Sequence, residues 1–431
     1  MHSISRIVTG LSMTGLIAAG AAGTAATPAQ ADPVADFYKG RSITLFVGSA
    51  PGGGYDRYGR LMSRHIHRHL PGQPTATIVK NMPGASGLRL AGYLYNKAKR
   101  DGREIAGVHN TIVVQELFGR GARYKSAEFN WLGSVNQLTT TCISSPEAKV
   151  QSWPDAKKTT LVVGGTGASS SSTNLVPAFL KTLTGAKLKI IKGYPSTTSV
   201  ILAMQRGEVE GLCGVGWDSL KAQAFHLLRD KKIKVIIQVG KQPHPELKGV
   251  PFVMDMASSA DDVRVLEFLV ARQYMGRPYV APPGVPADRV AALRKAFEAT
   301  MNDAKFQADA KKVRTPLSPI TGAEVQAHIA RLFQSPKSLI ARANEATKLK
   351  KADVSQAQLK WLNVKGTKIE RIKKRNIFFK DGGKTVRASA RRAKIFVNGK
   401  KVKRKALTVG MVCDITYLGH RDAAKTIKCT N

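Results

Sequence analysis

Three glycine- and hydroxyl-rich segments carry the chemistry this chain can offer. Pro51-Gly-Gly-Gly-Tyr-Asp56 follows the apolar run 43–47, Asn81-Met-Pro-Gly-Ala-Ser-Gly87 follows 75–79, and Gly164-Gly-Thr-Gly-Ala-Ser-Ser-Ser-Ser-Thr173 follows 160–163. Each stands between a strand-like and a helix-like run. Such a loop leaves backbone N–H groups free at a helix start, where the helix dipole favours negative charge. Ser and Thr hydroxyls add donors without the desolvation cost of a buried Lys or Arg. The chemistry indicated is the grip of an anion. Gly53 and Gly54 permit close approach, with Tyr55 and Asp56 behind them. Gly84, Ala85, Ser86 and Gly87 can present several N–H groups. Thr166, Gly167, Ser170 and Ser172 offer donors from the third segment, with Tyr194, Ser196 and Thr197 beside them. Asp56 has a second reading, as a cap or an orienting group for its loop. The glycines have one too, as tight turns only. Their recurrence at three helix starts favours the anion.

Motifs for other chemistries are missing. Gly165-Thr-Gly167-Ala-Ser-Ser170 lacks the last glycine of a dinucleotide loop, and no Gly-x4-Gly-Lys-Ser/Thr occurs. Ser86 lies in Gly-Ala-Ser-Gly and not in the Gly-x-Ser-x-Gly of a nucleophile elbow. There is no His-Glu-x-x-His. At helical spacing His65 and His69 share a face that His67 does not, and Arg64 and Arg68 would repel a cation. The expectation is no metal, no cofactor and no enzyme, since a hydrolase or lyase needs an activated nucleophile. Trp217, beside Asp218, and Tyr274 read as packing residues.

The elements that must position these loops follow an alternating order. From Phe37 to about Val239 strand-like and helix-like runs alternate, which predicts an α/β fold with mostly parallel strands. In open α/β sheets ligands sit beyond the carboxyl ends of the strands, where these loops lie. Two Pro-rich stretches, 244–251 and 277–286, precede a helix predicted from Ala287 to about Val313 and another over 322–333. Composition shifts at Ser335-Pro336. A Lys-rich helical linker is expected over 335–363. A basic β-rich module is expected over 364–431, with short β-runs, Asn398-Gly399 and Gly382-Gly383 turns, and a small barrel as its form.

The chain opens with Arg6, an apolar stretch over 7–22 and a small-x-small site at Ala29-Gln-Ala31, the pattern of a secretory signal over 1–31. Export makes disulfides permissible. Cys142 is expected to pair with Cys213 and Cys413 with Cys429; four buried thiols are the alternative. The net charge is +39, and residues 335–431 hold 26 Lys and Arg against 6 Asp and Glu. For an exported chain such a field points to anionic lipid, acidic polysaccharide or small carboxylates ahead of nucleic acid. A merely solvated basic surface is the alternative for the tail.

Residues 36 to about 345 resemble a Bug-type extracytoplasmic solute receptor of the tripartite tricarboxylate transporter system. The landmarks match in order: residues 51–56 with Arg60, 81–87, Gly165-Thr-Gly167, Gly193-Tyr-Pro195, Met204-Gln-Arg-Gly-Glu-Val-Glu-Gly211, and Pro282-Pro-Gly-Val-Pro286 before a helix. The resemblance implies a two-lobed periplasmic-binding-protein (type 2) fold that closes on a small di- or tricarboxylate and delivers it to membrane components of such a transporter. It implies lobe 1 over 32–139 and 243–334 and lobe 2 over 140–242. The four serines Ser169 to Ser172, and Ser196 in place of a common glycine, depart from the family pattern. The region after about Ser335 is not part of the usual receptor. An adhesive or scaffold protein acting through the basic module, and a carboxylate sensor without transport, remain as alternative functions.

Overall fold

The computed structural model describes residues 32–167, 171–358, 361–373, 375–391, 393–419 and 423–430. The expected export signal and Ser170 lie outside the described residues. No helix among those described is long and apolar enough to cross a membrane.

Apolar runs become strands, and the order of those strands makes two lobes. β1 (Ser42–Val47), β2 (Ala76–Asn81), β3 (Glu104–Gly107) and β4 (Asn130–Ser134) come first. β5 (Thr140–Ser144), β6 (Leu161–Thr166), β7 (Leu188–Tyr194), β8 (Gly211–Gly216) and β9 (Lys234–Val239) follow. β10 (Pro278–Ala281), β11 (Ile320–Thr321) and β12 (Val354–Gln356) come later in the chain. The first sheet has the order β11-β4-β10-β3-β1-β2 and the second β12-β7-β6-β8-β5-β9. β1 is parallel to β2 and β3, and β6 to β7 and β8. β10 and β5 enter their sheets antiparallel, each directly after the chain has crossed between lobes. The two crossings touch: Leu138 N donates to Gln273 O at 2.9 Å and Gly276 N to Asn136 O at 2.9 Å. The central runs are buried on both faces, with Ile43, Leu45, Ile105, Leu161 and Val163 fully covered, as parallel strands flanked by helices must be.

Several expected elements take a different form. The helix expected over 287–313 is two helices, Ala287–Asn302 and Ala304–Lys312. Asp303 ends the first and caps the second, accepting from Lys305 N at 2.7 Å and Phe306 N at 3.4 Å; a short carboxylate competes well for free helical N–H groups. His65 and His69 do not share a helix face. The helix Gly54–Ser63 stops before them, and they bond to Asp309 and Asp303 respectively, at 3.0 and 3.1 Å. Ala260–Ala271, expected in the first lobe, packs on Ser172–Thr184 of the second.

The stretch expected as a linker over 335–363 is built into the receptor body. Lys337–Ala346 is helical as expected, but it packs on Ala260–Ala271 and Ser172–Thr184 and buries Ala343 and Ala346. Arg120 of the first lobe donates to Asn344 O at 3.1 Å and to Thr347 Oγ1 at 2.6 Å. β12 then pairs in parallel with β7, Val354 against Ile190 through Gln356 against Lys192. The Lys-rich composition hid the small-residue face by which this helix packs, and three residues of strand are too few to show a period.

Beyond it lie β13 (Leu362–Lys368), β14 (Arg371–Lys373), β15 (Asn376–Asp381), β16 (Lys384–Ser389), β17 (Lys394–Val397), β18 (Lys400–Val402), β19 (Val412–Tyr417) and β20 (Ala424–Thr430). They form a five-stranded sheet, β13-β19-β20-β17-β18, and a three-stranded one, β14-β15-β16. One core that includes Ile377, Phe379, Ile395, Ile415 and Ile427 serves both. The sheets meet in a single bridge, Ser389 with Ala423, so no continuous ladder closes the expected barrel among the described residues. Both expected disulfides are present. Cys142–Cys213 ties β5 to β8, and Cys413–Cys429 ties β19 to β20.

Candidate functional site

Five helices follow parallel strands, and four of their starts, with the tight turn Ala85–Gly87 that leads into the fifth, border one cleft between the lobes. Gly54–Ser63 follows β1 and Leu88–Asn96 follows β2 in the first lobe. Ser172–Thr184, Thr197–Gln205 and Trp217–Arg229 follow β6, β7 and β8 in the second. Only the start at Thr197 has a side-chain cap, Ser196 accepting from Ser199 N at 3.1 Å. At the other four no side-chain cap is made among the described residues, which leaves first-turn N–H groups without an intrahelical partner. The cleft encloses about 260 Å³.

Most of the residues expected to bind line this space: Gly53, Gly54, Tyr55, Gly84, Ala85, Ser86, Thr166, Gly167, Ser172, Ser196 and Thr197. Three do not. Asp56 is buried behind its loop, accepting from Gly52 N at 2.9 Å, Arg60 Nε at 2.8 Å and Asn81 Nδ2 at 2.7 Å; it orients the loop, its second reading. Gly87 turns the chain into Leu88–Asn96 with φ of 97°. Tyr194 is 3% exposed and packs in the core with Val200 and Met204, because the last residue of β7 alternates inward.

Backbone form at two positions fits a close grip. Ala85 and Ser86 both lie in the left-handed region, at φ of 45° and 52°. That conformation costs a non-glycine residue about 1–3 kcal/mol and clusters at ligand clamps. Of the neighbouring pair of glycines, Gly54 is the constrained one. A Cβ there would collide with Ser219 Oγ and lie 2.9 Å from Arg277 Nη2, whereas at Gly53 it would meet nothing closer than 3.8 Å. Gly54 of the first lobe thus abuts Ser219 of the second. At Gly167 a Cβ would stand 3.9 Å from Ser86 Oγ, so the lobes also approach on that side.

The third loop is tied internally. Thr166 N donates to Thr173 Oγ1 at 2.9 Å, Asn174 Nδ2 donates to Ser171 Oγ at 2.9 Å, and Ser171 Oγ bonds to Thr166 O. Four buried polar atoms on cleft-lining residues make no hydrogen bond among the described residues: Ser86 Oγ, His109 Nε2, Gln223 Nε2 and Arg277 Nε. The oxygen of Gln223 accepts from Thr197 and Thr198 hydroxyls at 3.0 and 3.1 Å, which leaves its amide nitrogen as a donor.

Sequence reading missed the charged floor. Arg277 lines the cleft and is 5% exposed. Its Nη2 donates to Asp218 Oδ2 and to Ser219 Oγ, both at 3.0 Å. Its guanidinium lies 4.5 Å from the Tyr55 ring centre and 5.3 Å from that of Tyr58. Burial works against its charge, but Asp218, Tyr55 and Tyr58 outweigh burial and hold its pKa above the ordinary value. His109 stacks on Tyr55 with ring centres 4.3 Å apart and planes 6° from parallel. Burial, aided by the Arg277 charge, pushes His109 down to about 4, so it is neutral near pH 7. Tyr55 Oη donates to Asn110 Oδ1 at 3.3 Å, within the first lobe. The available signal was an isolated Arg heading the apolar run Arg277-Pro-Tyr-Val-Ala281. Among the described residues no Asp or Glu lines the cleft; Asp218 is buried behind it with Arg277. The arrangement offers many donors, one paired cation and no acceptor charge, which suits an anion.

No protein-family model matches the chain, and no curated protein does. Solved structures do. A TctC solute binding protein from Polaromonas is 21% identical, with TM-score 0.50, over 71% of this chain and 99% of that one. An R. palustris protein solved with adipate is 19% identical, with TM-score 0.56, over 71% of this chain and 97% of that one. MatC from Rhodopseudomonas palustris, solved with bound malate, is 18% identical, with TM-score 0.53, over 72% of this chain and 99% of that one. The share of this chain left uncovered leaves room for the C-terminal β-rich region. The lobes with the cleft between them have the two-lobed α/β fold of the TctC-type solute-binding proteins.

Proposed function

We propose that this chain is a periplasmic receptor that closes on a small organic dicarboxylate and delivers it to the membrane components of a tripartite tricarboxylate transporter. The observation that carries this reading is the convergence of helix starts from both lobes, most without a side-chain cap among the described residues, on a cleft that Arg277 floors and whose described lining holds no acidic residue. Size narrows the class. A cleft of about 260 Å³ has room for a small ligand and not for a polymer, and a dicarboxylate of four to six carbons is of that class. Proteins of the same fold were solved with malate and adipate. Binding by N–H groups and hydroxyls needs neither metal nor cofactor.

The test is calorimetry and thermal melting of the mature chain with succinate, malate, adipate and citrate, and with the neutral diamide of succinate. A four- to six-carbon diacid is expected to raise the melting temperature by mass action, by about 2.7 kcal/mol of stabilisation at a hundredfold excess over Kd, and the diamide to leave it unchanged. No response to any acid at millimolar concentration overturns the receptor reading.

A further inference from the structure

Arg272 is fully buried and has no acidic partner. It follows the helix Ala260–Ala271 and is 0% exposed. Its Nη1 donates to Ser172 Oγ at 3.2 Å and to Asn110 Oδ1 at 3.4 Å. Its Nε and Nη2 are buried and make no hydrogen bond among the described residues. No carboxylate forms an ion pair with it there, in contrast to Arg277 with Asp218. Burial lowers its pKa to about 10, so it stays charged near pH 7.

A buried charge without a counter-charge costs several kcal/mol. The carbonyl end of its own helix offsets part of that cost. Packing alone gives no reason for a guanidinium here, since Met fills a similar volume without the penalty. What singles the site out is Ser172, the first residue of Ser172–Thr184 and a wall of the cleft. The cation stands one hydrogen bond behind a hydroxyl and a helix start that face the cleft. Because Arg272 donates to the Ser172 oxygen, that hydroxyl is left to give its own proton to the cleft. The guanidinium also strengthens it as a donor, since a charged neighbour polarises the O–H bond.

We propose that Arg272 is the internal counter-charge for one carboxylate of the ligand, acting through Ser172 as a positioning and specificity-determining residue. The proposal rests on the carboxylate reading given above. It explains why the second lobe can recognise an anion at a loop whose own side chains are all neutral. It also assigns the two buried arginines different tasks. Arg277 is neutralised by Asp218 and braces the floor, while Arg272 keeps a charge that only a ligand cancels.

The test uses the full mature chain and the variants Arg272→Met, Arg272→Lys and Ser172→Ala. Thermal melting is measured without ligand, and succinate, malate and adipate are titrated into each protein. Without ligand, Arg272→Met is expected to melt about 2–4 °C higher than the natural chain, because an uncompensated charge is gone. Its affinity for the diacid is expected to fall about 10- to 100-fold. Arg272→Lys should recover part of that loss. Ser172→Ala should lose affinity without the gain in melting temperature. A merely structural arginine would lower stability when replaced and leave affinity alone. If Arg272→Met melts lower than the natural chain, or binds the diacid equally well, the inference is wrong while the receptor reading stands. If the natural chain binds none of the three acids, the receptor reading fails, and with it the role given to Arg272.

Discussion

At the scale of single residues, the cleft combines charge with deep burial, and that combination makes stability depend on pH. His109 has its pKa lowered from 6.5 to about 4, mainly by burial and further by Arg277. In the window between those values the unfolded chain binds a proton here that the folded chain refuses. The stability contribution is therefore complete above pH 6.5 and is lost as pH falls toward 4, by up to about 3 kcal/mol. His67, His244 and His328 shift in the same direction, each chiefly through burial. The informative measurement is thus a comparison. Denaturation midpoints of the natural chain and of His109→Asn, taken from pH 7.5 to 5, should converge as pH drops. Parallel curves would show that His109 is free to protonate in the folded state.

At the scale of elements, helices contribute their ends to the site and their sides to the core. Ser172–Thr184 shows both. Its first residue meets the cleft while Leu175, Phe179 and Leu183 lie in the shared core. Its flank is covered by Lys337–Ala346, with Leu339, Ile340 and Leu349 partly buried there, and β12 protects the edge of β7. An open parallel edge beside exposed apolar side chains favours aggregation. Ending the chain at Gln334 should therefore cost about 3 kcal/mol or more by lost burial and reduce soluble yield. Ending it at Gln358 should keep both the fold and diacid binding. Melting curves of the two truncations decide this. Equal stability would return 335–358 to the role of a linker.

At the scale of the whole molecule, the C-terminal module adds charge without entering the cleft, whose described lining ends at Arg277. The module leans on the second lobe. Arg206 Nη1 donates to Leu418 O at 3.1 Å, and Gly419 lies against Leu202, both on or beside Thr197–Gln205. Residues 364–431 carry twenty Lys and Arg against four Asp and Glu. Spread over a fold this small, that charge should hold anionic surfaces at low salt and release them as the Debye length shrinks from ~10 Å at 0.1 M to ~3 Å at 1 M. On an immobilised anionic polysaccharide the full chain should elute at clearly higher salt than the chain ending at Gln358. Co-elution would make the module's charge a solvated surface only.

The sequence alone was enough to place the loops that line the cleft, because each joins a fully apolar run to a helical stripe, and glycine with hydroxyl residues marks the turn between them. It also separated the cysteines into their two pairs, since each pair falls within one compositional unit. Tertiary structure decided the rest. Whether Gly53 or Gly54 must stay bare depends on Ser219 and Arg277, far away in the chain. Asp56 and Tyr194 carry binding-type side chains but point into the body of their own lobes. Arg277 reaches the cleft, and Arg272 reaches Ser172 behind it, only because the chain crosses twice between lobes, and no local pattern records where a crossing will place an isolated arginine. The membership of 337–356 in the second lobe was equally hidden, since its polar face dominates the composition while a few small residues and three backbone pairings fix its position.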